Sequence, residues 1–411
     1  MPASSPTTPR RTWLMPVVLI VALAVILPSV YLSATADPQE HLADLPVAVV
    51  IEPQSQRLAG APSGLMGDAI LEHTGPVRFA AMTGDELEAA MAVDRVAGAV
   101  VIPADFDASI SSLFPGTRPV VVPEIAVLVN AGDGGLSNGL VAANVTPLLD
   151  DAAKRMGDAL VDSVQGHLPA ANHALLSDPV DVSVRPYAPL PAHSGLGTSA
   201  FYFALVLVLI AFIGASLTNP LVDAALGVIP SELGPLVARR PYAAISRTRT
   251  LLTKVAILFA AAPVASAALI AIAGGLGVAA PSWLALWAFS TTVIAAIGTS
   301  ALAVFAVLGP GIGSLVNTLF FVALAMVSSG GIVPLEATPG FIRFVSLISP
   351  FRYAIDGIRS LMYFDGNLAA GLGDAWVTVV IGGLAGLLFG VCVTTLYGRV
   401  ARFSRHPRVV V

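Results

Sequence analysis

The chain consists of long apolar runs and one long stretch of mixed polarity. Six runs hold about 18 or more mostly apolar residues, the length that a helix needs to cross the hydrocarbon core of a bilayer. They predict a polytopic α-helical membrane protein with six transmembrane helices, one before and five after the mixed stretch. The predicted spans are residues 13–34, 197–218, 251–275, 283–308, 313–334 and 375–398.

The mixed stretch, residues 35–196, contains short elements of two periods. Alternating or continuous apolar segments predict strands, and the segments between them have helical spacing. ThrGlyAspGlu at 83–86 has the spacing of a capping box, which predicts a helix start at this point. Strands that alternate with helices favour an α/β domain with a mostly parallel sheet. The predicted strands are 47–51, 77–82, 99–102 and 125–130, and the predicted helices are 62–73, 85–96, 105–114 and 136–175.

Charge predicts which side of the membrane each part occupies, because Lys and Arg are enriched in cytoplasmic loops. The N-terminal tail, the segment between spans two and three and the C-terminal tail contain eleven of the 21 basic residues and two acidic ones, a net charge of +9. Residues 35–195 carry seven basic and twenty acidic residues, a net charge of −13. We therefore expect a multi-pass protein of the plasma membrane with both termini in the cytoplasm. The predicted division is a cytoplasmic tail (1–12), helix 1 (13–34), an extracytoplasmic α/β domain (35–196), a membrane domain (197–398) with a cytoplasmic loop (219–250), and a second tail (399–411).

Composition agrees with a membrane protein. The chain is 56% hydrophobic and 11% charged, with a mean hydropathy of +0.83, whereas about a quarter of the residues of a soluble domain are charged. The single cysteine, Cys392, excludes an intramolecular disulfide. The first run has two interpretations, a retained anchor or a signal cleaved after the AlaThrAla at 34–36, and its length favours the anchor.

The segment 350–364 is amphipathic and follows a glycine- and proline-containing break at the end of span five. Phe351, Ala354, Ile355, Ile358, Leu361 and Met362 form an apolar helical face, whereas Arg352, Asp356, Arg359 and Tyr363 fall on another. Asp356 is placed to pair with both arginines. Pro350 suits the first turn of a helix, with Ser349 as its N-cap. We expect a helix at the outer membrane interface.

The break itself contains Gly330, Gly331 and Pro334. Gly and Pro free backbone groups within an apolar helix, so this segment ends or kinks span five. Two interpretations stay open: a cavity-lining gate together with Pro350, Arg352, Tyr353, Asp356 and Arg359, or a structural turn.

The motifs of common enzymes are missing from the sequence. It contains no GxxxxGK[ST], GxSxG, HExxH or CxxC, and its histidines lack metal-ligand spacing, so we predict no catalytic, cofactor or metal site and no enzyme. Charged residues within the spans are nearly limited to Lys254 and Asp374, near opposite edges, which argues against a self-powered proton pump. Asn317, Thr291, Thr292 and Ser328 are expected to form helix–helix hydrogen bonds, and the glycines at 382, 383 and 386 to allow close helix packing.

Several stretches resemble the YhgE/Pip branch of the ABC-2-type membrane permease superfamily. They are LPVAVVIEPQ at 45–54, AGAVVIPADFDASI at 97–110, VLVNAG at 127–132 and SSGGIVP with the following PFRYAIDGIR, which contains Pro350, Tyr353 and Arg359. This chain lacks the extended coiled-coil insertion of the long members. The resemblance implies a homodimeric permease without cofactor that exports a hydrophobic or lipid-like molecule, with energy from a separate ATPase.

By the same resemblance, the ATPase would dock on the loop 219–250, where the predicted docking residues are Arg239, Arg240, Arg247 and Arg249. We expect short helices in this loop, one of them capped by Ser231. The arginines have a second interpretation, in which they only set the topology and contact lipid phosphates. Partners are then the bilayer, the ATPase and a second copy of the chain, and no nucleic acid. The alternative function is a non-transporting envelope scaffold or receptor that binds a partner through its acidic domain.

Overall fold

The computed structural model describes residues 10–35, 38–52, 61–116, 119–164, 169–233 and 235–400. Residues 1–9 and 401–411 of the two predicted tails lie outside these ranges, as does Ala36 of the candidate cleavage motif. The described chain comprises a helical bundle and a region built around a small sheet, residues 38–187, which we call the sheet region.

The sheet region contains a five-stranded mixed sheet with the order β2-β1-β3-β4-β5. Three of the four strand pairs are parallel, and β3 pairs with β4 in the antiparallel direction. Strand β5 was not predicted, although residues 181–185 alternate between polar and apolar side chains, and α5 and α6 were predicted as one helix. The elements are β1 (Leu45–Ile51), α2 (Pro62–Leu71), β2 (Val77–Ala81), α3 (Gly84–Ala92), β3 (Gly98–Ile102), α4 (Phe106–Ser112), β4 (Glu124–Val129), α5 (Gly135–Ser163), α6 (Ala170–Ser177) and β5 (Asp181–Pro186).

The central strands β1 and β3 are nearly continuous apolar runs because helices cover both sheet faces. On one face, α2, α4 and α5 pack against side chains such as Val47, Val100 and Val127. On the other face, α3 packs through Leu87 and Met91 on the strands. The predicted capping box is present, with both reciprocal hydrogen bonds between Thr83 and Glu86.

The bundle contains four segments that are long and apolar enough to cross a membrane, among the residues that the structure describes. Helix α1 contains a shorter apolar stretch, Ile20–Leu32. The Tyr31 hydroxyl of α1 donates a 3.3 Å hydrogen bond to the Val322 carbonyl, so α1 packs on the bundle. The bundle elements are α1 (Arg10–Thr35), α7 (Thr198–Ala225), α8 (Arg247–Gly275), the continuous segment Trp283–Val327 and α13 (Gly373–Arg399).

The segment Trp283–Val327 is a helical hairpin and not one straight helix. Gly309 has φ +76°, a conformation that favours glycine, and Pro310 follows it. The side chain of Asn317 donates a 3.1 Å hydrogen bond to the carbonyl of Ala301, sixteen residues earlier. These atoms would lie about 24 Å apart along a straight helix. The two halves are therefore antiparallel, and α9 (Trp283–Asn317) contains the turn.

Contacts between chain segments define two ends of the bundle. At the first, the backbone N–H of Ala200 near the start of α7 donates to the Tyr363 hydroxyl, and this end carries the sheet region. At the second, Thr248 at the start of α8 contacts Thr394 near the end of α13, and the Tyr397 hydroxyl donates to Val307 beside the hairpin turn. We call these the sheet end and the loop end. The polar segment 226–246 lies at the loop end.

The polar segment at the loop end differs from its prediction. In place of short helices it forms a two-stranded antiparallel hairpin, β6 (Ser231–Leu233) and β7 (Leu236–Ala238). Ser231 is a strand residue and caps no helix. Pro235 interrupts any helix at this point, because proline removes a backbone donor.

The predicted interhelical hydrogen bonds are present at one of four positions. Asn317 bonds across the hairpin, whereas Thr292 and Ser328 donate to carbonyls four residues earlier in their own helices. The Thr291 hydroxyl has no hydrogen-bond partner in the described part of the chain. The prediction that glycines allow close helix packing is confirmed within the chain at Gly383, where a Cβ would lie 2.8 Å from the Cβ of Ala296 on α9.

Candidate functional site

Helix α12 (Pro350–Tyr363) lies at the sheet end, between the bundle and the sheet region. All six residues of its predicted apolar face are buried against the bundle. The ring of Phe351 packs 5.6 Å from that of Phe201 on α7, and burial of such a side chain contributes about 1.5–3 kcal/mol. The apolar face therefore holds α12 on α7, α9 and α13.

The polar face of α12 is covered in part by the sheet region and is not free at the membrane surface. Arg359 is only 8% exposed. Its Nη2 donates a 2.8 Å hydrogen bond to the backbone carbonyl of Asp133 and longer ones, both 3.4 Å, to those of Gly330 and Gly331. Its Nη1 lies 3.9 Å from the Asp133 carboxylate. One arginine thus joins the sheet region, the glycine turn and α12.

Asp356 pairs with Arg352 but not with Arg359, so the prediction that it bridges both is wrong. The Arg352 Nε lies 3.6 Å from the Asp356 carboxylate. The Arg352 guanidinium also lies over the Tyr353 ring and donates a 3.1 Å hydrogen bond to the Ser346 hydroxyl. Arg359 is drawn away from Asp356 by the carbonyls and carboxylate opposite it, which are contributed by other parts of the chain.

The start of α12 agrees with its prediction only in part. Pro350 is the first helical residue. Ser349 occupies the predicted N-cap position, but its side chain makes no capping bond, and its hydroxyl has no partner in the described part of the chain. The Tyr353 hydroxyl donates to the carbonyl of Leu347 in the preceding turn.

The turn at 328–334 brings the two regions close together. Gly330 has φ +67°. A Cβ on Gly331 would overlap the side chains of Phe201 and Ile355, so only glycine fits there. Pro334 begins a short turn whose Ala337 is buried in the core of the sheet region. Six of the eight predicted gate residues line one cavity, namely Gly330, Pro334, Arg352, Tyr353, Asp356 and Arg359.

A cavity of about 680 Å³ opens between the sheet region, α12 and the start of α13. We call it the junction cavity. Its wall contains apolar side chains such as Leu335 and Val377 beside an unusual number of charges. The charged residues that line it are Asp94, Arg95, Asp133, Glu336, Arg352, Asp356, Arg359 and Asp374.

Three carboxyl groups of this cavity, those of Asp94, Asp133 and Asp356, hold protons more tightly than exposed ones. Burial, together with the nearby charge of Asp94, raises the pKa of Asp133 well above its ordinary value. Burial also raises the pKa of Asp94, against the opposing effect of Arg359. It raises the pKa of Asp356 to about 6, although Arg359 and Arg352 lower it. Asp94 and Asp133 were not among the predicted site residues, because no local pattern relates either residue to α12.

A second polar cluster lies at the loop end. Lys254 is 3% exposed, and its Nζ lies 2.9 Å from the Asp223 carboxylate and 2.7 Å from the Asn219 side-chain oxygen. A cavity of about 210 Å³ beside it is also lined by Arg247 and Thr394. Lys254 was predicted near the membrane edge, but its partners on α7 were not, although Asn219 and Asp223 have the i,i+4 spacing of one helix face.

The predicted docking arginines occupy different environments. Arg239, Arg240 and Arg249 are exposed at the loop end. Arg247 instead lies over the ring of Tyr397 on α13, 5.8 Å from its centre. These four side chains are therefore not one surface.

In the described part of the chain, no three His, Cys, Asp or Glu side chains are arranged to hold a metal ion. The site is a junction of charged groups between two folded regions at one end of an apolar bundle. No curated protein and no solved structure matches the chain. The profile of the ABC-2 family transporter proteins matches residues 10–396, nearly the full length, and the chain therefore belongs to the ABC-2 family of transporter proteins.

Proposed function

We propose that this protein is the permease subunit of an ABC-2 exporter that moves a hydrophobic or lipid-like molecule, driven by a separate ATPase. The match to the ABC-2 family over residues 10–396 carries the proposal. The finer assignment to the short YhgE/Pip-like branch, a cell-membrane location and a homodimeric assembly are parts of the same proposal.

The arrangement of the bundle supports six crossings with both termini on the cytoplasmic side. The hairpin at Gly309 divides Trp283–Val327 into two antiparallel passes. Tyr31, near the end of α1, contacts Val322 and Met326, close to the sheet end. With α7, α8 and α13 this makes six passes. The sheet region is then extracytoplasmic and the basic loop end cytoplasmic.

The charge distribution of the spans supports an apolar cargo. In the four long segments, the charged residues lie near the ends, as Asp223, Arg247, Arg249 and Lys254 at the loop end, Asp374 at the sheet end and Arg399 at the loop end. The middle of each segment carries none. Charged residues in the middle of a membrane span mark ion and proton pathways. Because these four segments carry their charges only near the ends, the distribution favours a hydrophobic substrate and an external energy source.

The test is purification of tagged full-length protein in lipid nanodiscs, with mass spectrometry of co-purifying chains and an ATP hydrolysis assay. We expect a stoichiometric ATPase. We also expect Arg239→Gln/Arg240→Gln to reduce its recovery, because both side chains are exposed on the loop that would bind it. Arg78→Gln/Arg185→Gln in the sheet region is the control for a loss of two positive charges. Wild-type protein without any ATPase would contradict the proposal.

A scaffold or receptor role remains the second candidate, and one observation favours it. A groove of about 700 Å³ lies between α2 and α5 of the sheet region, and Leu65 at its rim is 58% exposed. Recovery of a stable envelope partner in place of an ATPase, lost on Leu65→Ser, would support this candidate.

A further inference from the structure

Two carboxyl groups meet at the face that the sheet region presents to α12. Asp94 follows α3, and Asp133 follows β4. Both side chains line the junction cavity, and the charge of Asp94 raises the pKa of Asp133. A proton on one of the two groups removes this repulsion between like charges. Asn130 fixes Asp94 by donating to its Oδ1 at 2.8 Å.

This pair faces one buried cation from the other region. Arg359 approaches Asp133 to 3.9 Å for its carboxylate and 2.8 Å for its backbone oxygen. Two ionised carboxylates beside one arginine would leave an uncompensated negative charge in a partly buried place. The charges at the contact between the two regions are therefore balanced when Asp94 and Asp133 together keep one proton.

The surrounding charges do not remove this need for a proton. Asp356 on α12 is already paired with Arg352. The remaining charged groups around the cavity are Glu336 from the turn before α11 (Gly340–Ser346), Arg95 beside Asp94, and Asp374 at the start of α13. They supply two negative charges and one positive charge, so on balance they favour protonation of the pair.

We propose that Asp94 and Asp133, together with Arg359, form a proton-binding site that attaches the sheet region to α12, so that this attachment depends on the pH at the sheet end. The site lies outside the four long apolar segments, so it provides no proton pathway across the membrane. The proposal goes beyond the export function and does not rest on it.

The raised pKa values set the direction of the effect. A carboxyl group whose pKa is raised by burial in the closed contact binds its proton more tightly there than in an opened, hydrated one. The closed contact is thus fully favoured below the ordinary carboxyl pKa of 3.8. It loses this advantage as pH rises through the raised pKa values, which are about 6 for Asp356 and well above 3.8 for Asp133. Each proton taken up on closing changes the closed-to-open ratio up to tenfold per pH unit in that window.

Hydrogen-exchange mass spectrometry of the full-length protein in nanodiscs measures this opening directly. Exchange is followed at about pH 5.5 and about pH 8, with times scaled for the intrinsic pH dependence of amide exchange. We expect peptides that cover 131–138 and 350–364 to be several-fold better protected at the lower pH. If these peptides of the wild-type protein are equally protected at both pH values after this scaling, the proposal is overturned.

The variant Asp94→Asn/Asp133→Asn keeps the hydrogen-bonding shape but removes both titrating groups. We expect it to lose most of the pH response. Asp150→Asn, an exposed substitution on α5 of the same region, is expected to keep it. A wild-type pH response in the double variant would overturn the proposal. If the double variant does not fold, Asp94→Asn alone is used, and a protonated-carboxyl infrared band that it leaves unchanged counts against the shared proton.

Discussion

The bundle carries a buried ion pair near each end, and the two pairs are built differently. At the loop end, Lys254 on α8 bonds Asp223 and Asn219 on α7, two helices that also pack along their lengths. At the sheet end, Arg359 bonds Asp133, which is 226 residues away and belongs to the sheet region. The first pair lies within one folded unit, and the second joins two.

The chemistry of the two cations suits these positions. Lysine is a compact charge, and the Nζ of Lys254 lies 2.9 Å from a carboxylate and 2.7 Å from an amide oxygen. Arginine presents a planar fork of donors, which lets Arg359 reach three backbone carbonyls and a carboxylate at once. The difference indicates that the loop-end pair contributes mainly to the stability of the bundle, whereas the sheet-end pair sets the relative position of two regions.

Lys254→Met should give the largest loss of stability. It leaves the mostly buried Asp223 carboxylate without its cation, and breaking a buried pair in this way costs about 3–5 kcal/mol. The measurement is thermal unfolding of the purified protein in nanodiscs. Lys254→Met/Asp223→Leu is the matched control and should recover much of the loss, because it removes both charges. An unchanged midpoint for the single variant would show that this pair does not support the bundle.

Arg359→Gln should cost less, about 2–3 kcal/mol, because hydrogen bonds from one charged group are lost and the bundle keeps its apolar contacts. The effect should be local: limited proteolysis should release the sheet region faster, while the thermal midpoint of the bundle changes little. The release rate for Arg359→Lys should lie between those of the wild type and Arg359→Gln, because lysine keeps the positive charge but lacks the planar set of donors. Equal proteolysis of all three would contradict a joining role.

Arg352→Gln should give the smallest effect, about 0.2–0.5 kcal/mol. Its partner Asp356 lies on the same helix, and their side chains are 29% and 31% exposed. Thermal unfolding and limited proteolysis are measured again for this variant. Both the unfolding midpoint and the rate at which the sheet region is released should stay close to those of the wild type. A loss as large as that of Arg359→Gln would mean that the two arginines act as one network.

Local patterns predicted much of the secondary structure. The apolar runs marked the long helices, the capping box at Thr83 marked α3, and the apolar face of α12 was predicted residue by residue. These predictions agree with the structure because each depends only on the spacing of residues within one element. The prediction that Asp356 pairs with Arg359 failed because the groups that bind Arg359 come from elsewhere in the chain, namely the carbonyls of Asp133, Gly330 and Gly331.

The sequence by itself therefore determined that this is a membrane protein with long apolar helices, a mixed α/β stretch and an amphipathic helix that contains Arg352, Asp356 and Arg359. Only the tertiary structure decided that Arg359 meets Asp133, that Lys254 meets Asp223, and that the helical segment turns back at Gly309. The physical reason is that periodicity records which face of an element is apolar, whereas the partner of a charge depends on which distant backbone and side-chain groups the fold brings within a few ångströms.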